Sequence, residues 1–288
     1  MIPEVIEVLA PAKINLFLHL ISKRLDGYHN IESLIAFTDF GDLIKVEEAT
    51  ELTLEIEGPF AEDIKGLDEE QNLVMRAAVG LNKLTGKYLG AKITLVKNIP
   101  VSSGIGGGSS DAAATIKALQ KLWHLSIPDG DILKICLSLG ADVPACLYGN
   151  PVFVSGMGEE LRPIQGLSDF YCVLVNPRIQ ISTPTIFNSF DGGFSSSISH
   201  SGDEDLFGFV RFSNDLQKPA DVLVPEIQQA IESLMGEKGC KLARMSGSGA
   251  TCFGLFDKKD DVEKAFGGIK AKNSNWWVSS GVIKGSIF

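Results

Sequence analysis

The sequence predicts a mixed α/β (α+β) fold, and three observations carry that expectation. The chain has 288 residues, 44% of them hydrophobic and 22% charged, which is apolar material for one large core or two ordinary ones. Strand-like alternation and helix-like periodicity recur in both halves. A strand, a glycine-rich loop and a helix also follow one another directly over residues 91–122.

Residues 4–20 read as two short strands around a Pro-Ala break, alternating at Val5 and Leu9 and again at Ile14, Leu16 and Leu18. Asp26-Gly27 makes 25–30 a loop. Further strands are expected at 31–40 and 43–57, the second alternating at Leu52, Leu54 and Ile56. The acidic stretch 62–70 reads as a solvated connection. Residues 73–84 have a helical period, 91–96 form a strand, and 110–122 form a helix with Ala113, Ile116 and Leu119 on one face. A helix at 131–139 stops at Gly140. Strands are expected at 152–154 and 171–175, a Ser-, Gly- and Asp-rich mobile loop at 191–208, and a helix at 226–235. The segments 241–245 and 251–256 flank a second Gly-Ser turn, and Trp276-Trp277 reads as core in a last strand. A boundary near 160 divides the chain into residues 1–160 and 161–288.

Several function classes are disfavoured at once. The formal net charge is −10, against a broad electrostatic grip on nucleic acid. The first ten residues lack a basic region and a long apolar run, and no stretch approaches a membrane span. The five cysteines are scattered without a C-x-x-C pair, so buried free thiols and a cytoplasmic, reducing compartment are expected. Four histidines are too separated for a metal cluster. His19, in a strand, and His124, in an apolar stretch, read as structural.

The most informative stretch is Asn98-Ile-Pro-Val-Ser-Ser-Gly-Ile-Gly-Gly-Gly-Ser-Ser-Asp111. Glycines at 104, 106, 107 and 108 cost backbone entropy, and they let amides approach a ligand closely. A helix N-terminus follows, with unpaired, partially positive N–H groups. That is the physics of a phosphate cradle, and Ser109 and Ser110 add hydroxyls for a phosphate oxygen or a magnesium ion. A flexible loop with Ser110 as N-cap is the alternative. No Lys follows the glycines, so a Walker A loop fails. Gly104, Gly106 and Ser109 only approach the dinucleotide pattern, and Asp129 sits in a turn-like SIPDGD rather than at a strand end.

Pro100-Val-Ser-Ser-Gly-Ile-Gly-Gly-Gly-Ser-Ser-Asp-Ala-Ala resembles the ATP-binding motif of the GHMP kinase superfamily. Ala10-Pro-Ala-Lys-Ile-Asn-Leu with Asp26-Gly-Tyr-His-Asn resembles its N-terminal motif, and Met245-Ser-Gly-Ser-Gly-Ala-Thr its C-terminal one. With Leu139-Gly-Ala-Asp-Val-Pro, these stretches are most similar to the branch whose substrate is a CDP-linked methylerythritol. The likeness covers almost the whole chain; Ile105, Ser103 and the segment 191–208 depart from it. It implies a two-lobed GHMP kinase fold, a ribosomal-S5-like N-terminal lobe that binds ATP and a ferredoxin-like C-terminal lobe that binds substrate. It also implies ATP and Mg2+ as cofactors, a small-molecule substrate (CDP-methylerythritol), phosphorylation of its 2-hydroxyl, and a monomer or weak homodimer. Another small-alcohol kinase, for homoserine or a mevalonate derivative, and a non-catalytic nucleotide-binding protein are the alternatives.

The resemblance also gives residues their roles. Alternation alone puts Lys13 and Asn15 on one strand face; the likeness makes Lys13 a catalytic cation and places Asn15 toward substrate. Asp142 could simply cap a helix, with Val143 held extended by Pro144; by resemblance it is the general base. Tyr28 and His29, in a turn, and Phe187 are assigned to the cytidine moiety, with Thr183 as a nearby hydroxyl. Asn72, Lys97 and Pro100 fall on the nucleotide side. Ser246, Gly247, Ser248 and Gly249 either close over the phosphates through backbone amides or form a tight turn between strands.

Overall fold

A computed structural model describes residues 5–66, 71–198 and 208–285. They form two compact units that interleave along the chain. One comprises the chain up to Ala12, Phe40–Val101 and Gly106–Tyr148, the other Lys13–Asp39, Ser102–Ile105 and the chain from Gly149 onward. A single boundary at 160 does not describe this division, because the chain passes from one unit to the other inside its first two strands.

Those strands are longer than the sequence suggests. β1 runs unbroken over Ile6–Lys23 and β2 over His29–Glu48, and the two pair. Pro11, the expected break, faces Gly41, which lies between the strands expected at 31–40 and 43–57. A Cβ on Gly41 would lie 2.0 Å from the Ala10 carbonyl oxygen and 2.7 Å from Pro11 Cα, so glycine lets the strands approach where proline cannot donate. The Pro11 carbonyl instead accepts from the Ser110 hydroxyl at 2.7 Å.

In the first unit, β2 pairs antiparallel with β4 (Ala91–Val96), from Leu43↔Val96 to Glu48↔Ala91, and β3 (Leu52–Glu57) pairs parallel with β4. A short 3₁₀ turn at Ala61–Asp63 opens the acidic connection; residues 67–70 of it lie outside the described residues. Helices α1 (Leu73–Thr85), α2 (Gly107–Leu122), α3 (Asp129–Leu139) and α4 (Val143–Tyr148) complete the unit. α2 is buried on most of its surface, including Ala112, Ala113, Ala114, Ile116 and Leu119, because it packs between α1 and α4. It starts three residues before the expected position, so Ser110 lies inside the helix and is not its cap. α3 likewise begins at Asp129, two residues early. Val143, expected in extended geometry ahead of Pro144, is the first residue of α4; proline is tolerated in a first helical turn, where the amide it lacks has no intrahelical partner.

In the second unit, the first half of β2 pairs with β5 (Val152–Ser155) and, at Thr38 and Phe37, with β10 (Trp277–Lys284). β6 (Glu160–Pro163) pairs with β5. From β10 the sheet continues antiparallel through β7 (Phe170–Asn176) and β9 (Cys252–Phe256) to β8 (Cys240–Met245). Helices α5 (Thr183–Asn188), α6 (Gln217–Leu223), α7 (Glu226–Met235) and α8 (Lys259–Lys272) belong to the same unit. Ile227, Ala230 and Leu234 of α7 and Val262, Ala265 and Ile269 of α8 form one core with Val173, Val175 and Val278. Trp276 packs against that core. Four of the five free cysteines are buried, Cys240 partly so. Burial pushes the Cys136 thiol up to about 11, which leaves it protonated and inert at neutral pH. Of the expected mobile loop, 199–207 lies outside the described residues, while 191–198 is irregular and held by specific hydrogen bonds. No helix among the described residues is long and apolar enough to cross a membrane.

Candidate active site

Of the cradle glycines, Gly106, Gly107 and Gly108 belong to the first unit and Gly104 to the second. Gly106 adopts a left-handed conformation (φ 65°) as the N-cap of α2, and Ser110 N donates to its carbonyl at 2.9 Å. The amides of Gly107, Gly108 and Ser109 are therefore the first-turn donors that a helix leaves to a ligand. Gly108 is exposed, and Gly107 and Ser109 are half-buried. The glycines also answer an inward demand. A Cβ on Gly107 would lie 3.0 Å from Lys97 Nζ, and one on Gly108 3.3 Å from Leu73 Cδ1.

Lys97 corrects an expectation. Its side chain is 2% exposed, and its ammonium is held between Asp42 Oδ2 and, at 2.8 Å, Asp111 Oδ2. It supports the cradle from beneath, with two of its three donors spent on these carboxylates. Asp42 also accepts from Asn98 N at 2.5 Å and Ile99 N at 3.0 Å, so one carboxylate pins the chain as it leaves β4. Burial alone would lower the Lys97 pKa, but the Asp111 and Asp42 carboxylates more than offset it, and it is raised. Asp111 is pushed up to about 7, by burial first and by Asp42, with Lys97 pulling it back. Two buried acids thus share one buried base, and the charge of Asp42 adds to what burial does to Asp111. Asp42 and Asp111, both assigned no role by sequence, are legible only as Lys97's partners.

Asp142 stands immediately before α4, with Cys146 N donating to its carbonyl at 3.0 Å. Its turn lies beside the cradle, since a Cβ on Gly140 would come within 3.8 Å of Ser109 Oγ. Asn72 caps α1, its Oδ1 accepting from Val74 N at 2.9 Å. Ser110, expected near phosphate or magnesium, is 1% exposed and donates to Pro11; its place one turn into the helix turns the hydroxyl inward.

Pro100 is buried in the first unit, and the second unit holds the remaining residues. Lys13 Nζ donates to Asn15 Oδ1 at 2.8 Å, as their shared face requires, and Asn15 Nδ2 donates to Ser33 Oγ at 2.8 Å. Ser33 Oγ donates in turn to the Phe17 carbonyl at 2.5 Å. Lys13 and Asn15 are 4% and 3% exposed, so this chain of bonds orients two buried polar groups. Lys13 N donates to the Ile105 carbonyl at 2.9 Å, tying β1 to the segment Ser102–Ile105.

The second glycine turn packs against that segment. Ser246 Oγ accepts from Asn15 N and donates to the Gly104 carbonyl, each at 3.1 Å. Gly247 (φ 55°) would place a Cβ 2.7 Å from Gly104 O and 3.3 Å from Asn15 Oδ1. Ser246 N and Gly249 N are spent on Thr251 O and Ser246 O. Two of the turn's four amides are thus consumed inside it. Buried Asn214, which sequence reasoning missed, donates to the Met245 and Gly247 carbonyls, both at 2.8 Å. Arg244, also missed, is buried with its guanidinium donating to the carbonyls of Leu16, Phe209, Val210 and Phe212; burial lowers its pKa to about 10. The carbonyls to which these two side chains donate lie more than 25 positions away in sequence.

Thr183 and Ser248 share a hydroxyl hydrogen bond of 2.8 Å. In the Asp-Gly-Tyr-His turn, Tyr28 N donates to Asp26 Oδ1 at 3.1 Å. Tyr28 is 65% exposed. His29 is not in the turn: it begins β2 and is buried under Phe187, Phe190 and Phe194, with ring centroids at 5.6, 6.2 and 6.3 Å. Burial, then Lys23, lowers its pKa and keeps the imidazole neutral. Among the described residues, no group of three or more His, Cys, Asp or Glu could hold a metal ion.

Two family models match in chain order. "GHMP kinases N terminal domain" covers residues 72–150, and "GHMP kinases C terminal" covers 199–275. The chain belongs to the GHMP kinase family. A 4-diphosphocytidyl-2-C-methyl-D-erythritol kinase of Cereibacter sphaeroides is 42% identical over 97% of this chain and 99% of its own length. One of Rhodospirillum rubrum is 39% identical over 94% and 90%. A crystal structure of 4-(cytidine 5'-diphospho)-2C-methyl-D-erythritol kinase superposes with a TM-score of 0.83 at 31% identity, covering 98% of this chain and 100% of that one. Homoserine kinase of Cytophaga hutchinsonii, at 18% identity, 99% and 97% coverage and a TM-score of 0.73, shares the GHMP kinase fold.

Proposed function

We propose that this GHMP kinase transfers the γ-phosphoryl group of ATP to the 2-hydroxyl of 4-diphosphocytidyl-2-C-methyl-D-erythritol. The observation that carries the reading is the 42% identity, over 97% of the chain, to a relative named for that substrate. The second unit supports it independently. A buried neutral imidazole ringed by phenylalanines, with exposed Tyr28 next to it in sequence, suits a stacked, hydrogen-bonded base. Homoserine or a mevalonate derivative, which have no ring, would leave that apparatus without a purpose.

Phosphoryl transfer needs charge stabilisation and positioning more than covalent chemistry. The first-turn amides of α2 hold the nucleotide's phosphates, and the Lys97–Asp42–Asp111 group keeps that turn in place. Bound together with the nucleotide, magnesium would supply neutralisation of phosphate charge. Ser109, in the exposed first turn, is the hydroxyl that suits phosphate or its ion. Asp142 holds the substrate 2-hydroxyl and receives its proton as the oxygen bonds to the γ-phosphorus and ADP departs. Lys13, oriented by Asn15, supplies positive charge to the transferring group. A cytoplasmic metabolic enzyme fits this reading.

The test is ADP release from purified protein with Mg-ATP and a panel of 4-diphosphocytidyl-2-C-methyl-D-erythritol, homoserine and phosphomevalonate. Turnover is expected on the first. A protein inactive on it overturns the assignment.

A further inference from the structure

The segment 190–198, which follows α5 and matched no familiar motif, is anchored to the strands beside His29 at three residues. Ser195 N donates to the Leu20 carbonyl at 2.9 Å and Ser195 Oγ to Asp215 Oδ2 at 2.8 Å. Ser197 Oγ donates to Glu32 Oε1 at 2.6 Å, and Ile198 N to Glu32 Oε2 at 2.7 Å. Glu32 is 3% exposed. A buried carboxylate is costly unless donors satisfy it, and here the strap provides one for each oxygen. Between the start of the strap and these anchors stand Phe190 and Phe194, 5.4 Å apart and both against the His29 ring. Phe194 remains 42% exposed. An irregular chain is being held so that a large apolar ring faces outward beside a buried imidazole.

We infer that Phe194 is a stacking wall for the substrate's pyrimidine base and that Glu32 is the positioning residue that holds it there. The inference rests on the cytidine reading given above. A flat heteroaromatic ring covers the exposed phenyl face, and its polar edge meets the imidazole. Stacking on an aromatic side chain has a measurable worth per base, so the effect belongs to substrate affinity and not to the chemical step. Glu32 acts only through the strap.

The test is steady-state kinetics with 4-diphosphocytidyl-2-C-methyl-D-erythritol. Phe194→Ala is expected to raise its KM about ten-fold while kcat and the KM for ATP stay within about two-fold; Phe194→Tyr, which keeps the ring, restores the wild-type value. Glu32→Gln should raise the same KM in the same direction, and the double variant should be no worse than Phe194→Ala, because both changes remove one contact. Should Glu32→Gln fold poorly, Ser197→Ala removes one anchor and is expected to show a smaller shift of the same kind. Unchanged KM in Phe194→Ala, or fully additive effects in the double variant, overturns the inference while the proposed activity stands. Wild-type protein that does not turn over this substrate overturns the proposed activity and the inference with it.

Discussion

At the N-terminus of α2 the groups offered to a ligand are backbone amides, and the charged side chains beneath them, Lys97, Asp42 and Asp111, are buried. Around His29 the offered groups are rings gathered from β2, α5 and the strap, and the charged side chains are anchors for the strap. The first arrangement serves a phosphate, which any oriented N–H can bind; the second serves a base, which must be read by shape and edge. A backbone site needs rigid support, and the Lys97–Asp42–Asp111 group supplies it. A side-chain site needs its loops placed, and Glu32, Asp215 and Asn214 do that by hydrogen bonds to chain segments far away in sequence.

The contrast can be broken by substitution. Asp142→Asn should sever chemistry from binding, lowering kcat by about 10²–10⁴-fold with ATP affinity, read by equilibrium titration, nearly unchanged; wild-type turnover would remove Asp142 from the reaction. Lys97→Met leaves two buried carboxylates without their cation and is expected to cost about 3–5 kcal/mol in urea unfolding. Adding Asp111→Asn should recover part of that, which a purely local nucleotide contact would not. His29→Ala acts on the other side of the comparison, raising the KM for the cytidylyl substrate about ten-fold with little change in kcat.

The smallest effect is a pH dependence. The His29 pKa is lowered by burial, then by Lys23, so the folded protein binds fewer protons there than the unfolded chain just below the ordinary histidine value of about 6.5. Its contribution to stability is present above that value and declines as the pH falls below it. The KM for the cytidylyl substrate should accordingly be flat from about pH 7 upward and rise only on acidification. A rise centred above about pH 7 in wild type would contradict a neutral, buried His29.

Much of the phosphate end was legible in sequence because it is local. Strand 91–96, the glycine run and the helix to Leu122 lie in one stretch, and Asp142's place before a helix follows from its neighbours. The alternation of Lys13 and Asn15 predicted their shared face, and the structure bonds them directly. The base end was less legible. Tyr28 and His29 read alike in an Asp-Gly turn, yet one is exposed and the other heads a strand and is buried. Glu32 and Asp215 carry no local pattern, and the described part of 191–208 is held in place where its composition suggested only mobility.

Sequence by itself determined that strand 91–96, a glycine run and a helix follow one another, that a second Gly-Ser turn lies between strands, and that Pro11 interrupts a strand pattern. Tertiary structure decided what those features mean. Pro11 and Gly41 could not be read as a matched pair until the strands carrying them were side by side. Lys97 changed from a ligand contact to a buried support once Asp42 and Asp111 were found on either side of it. Periodicity and turn chemistry act over a few residues, whereas burial and ion pairing depend on which distant residues the fold brings within a few ångströms.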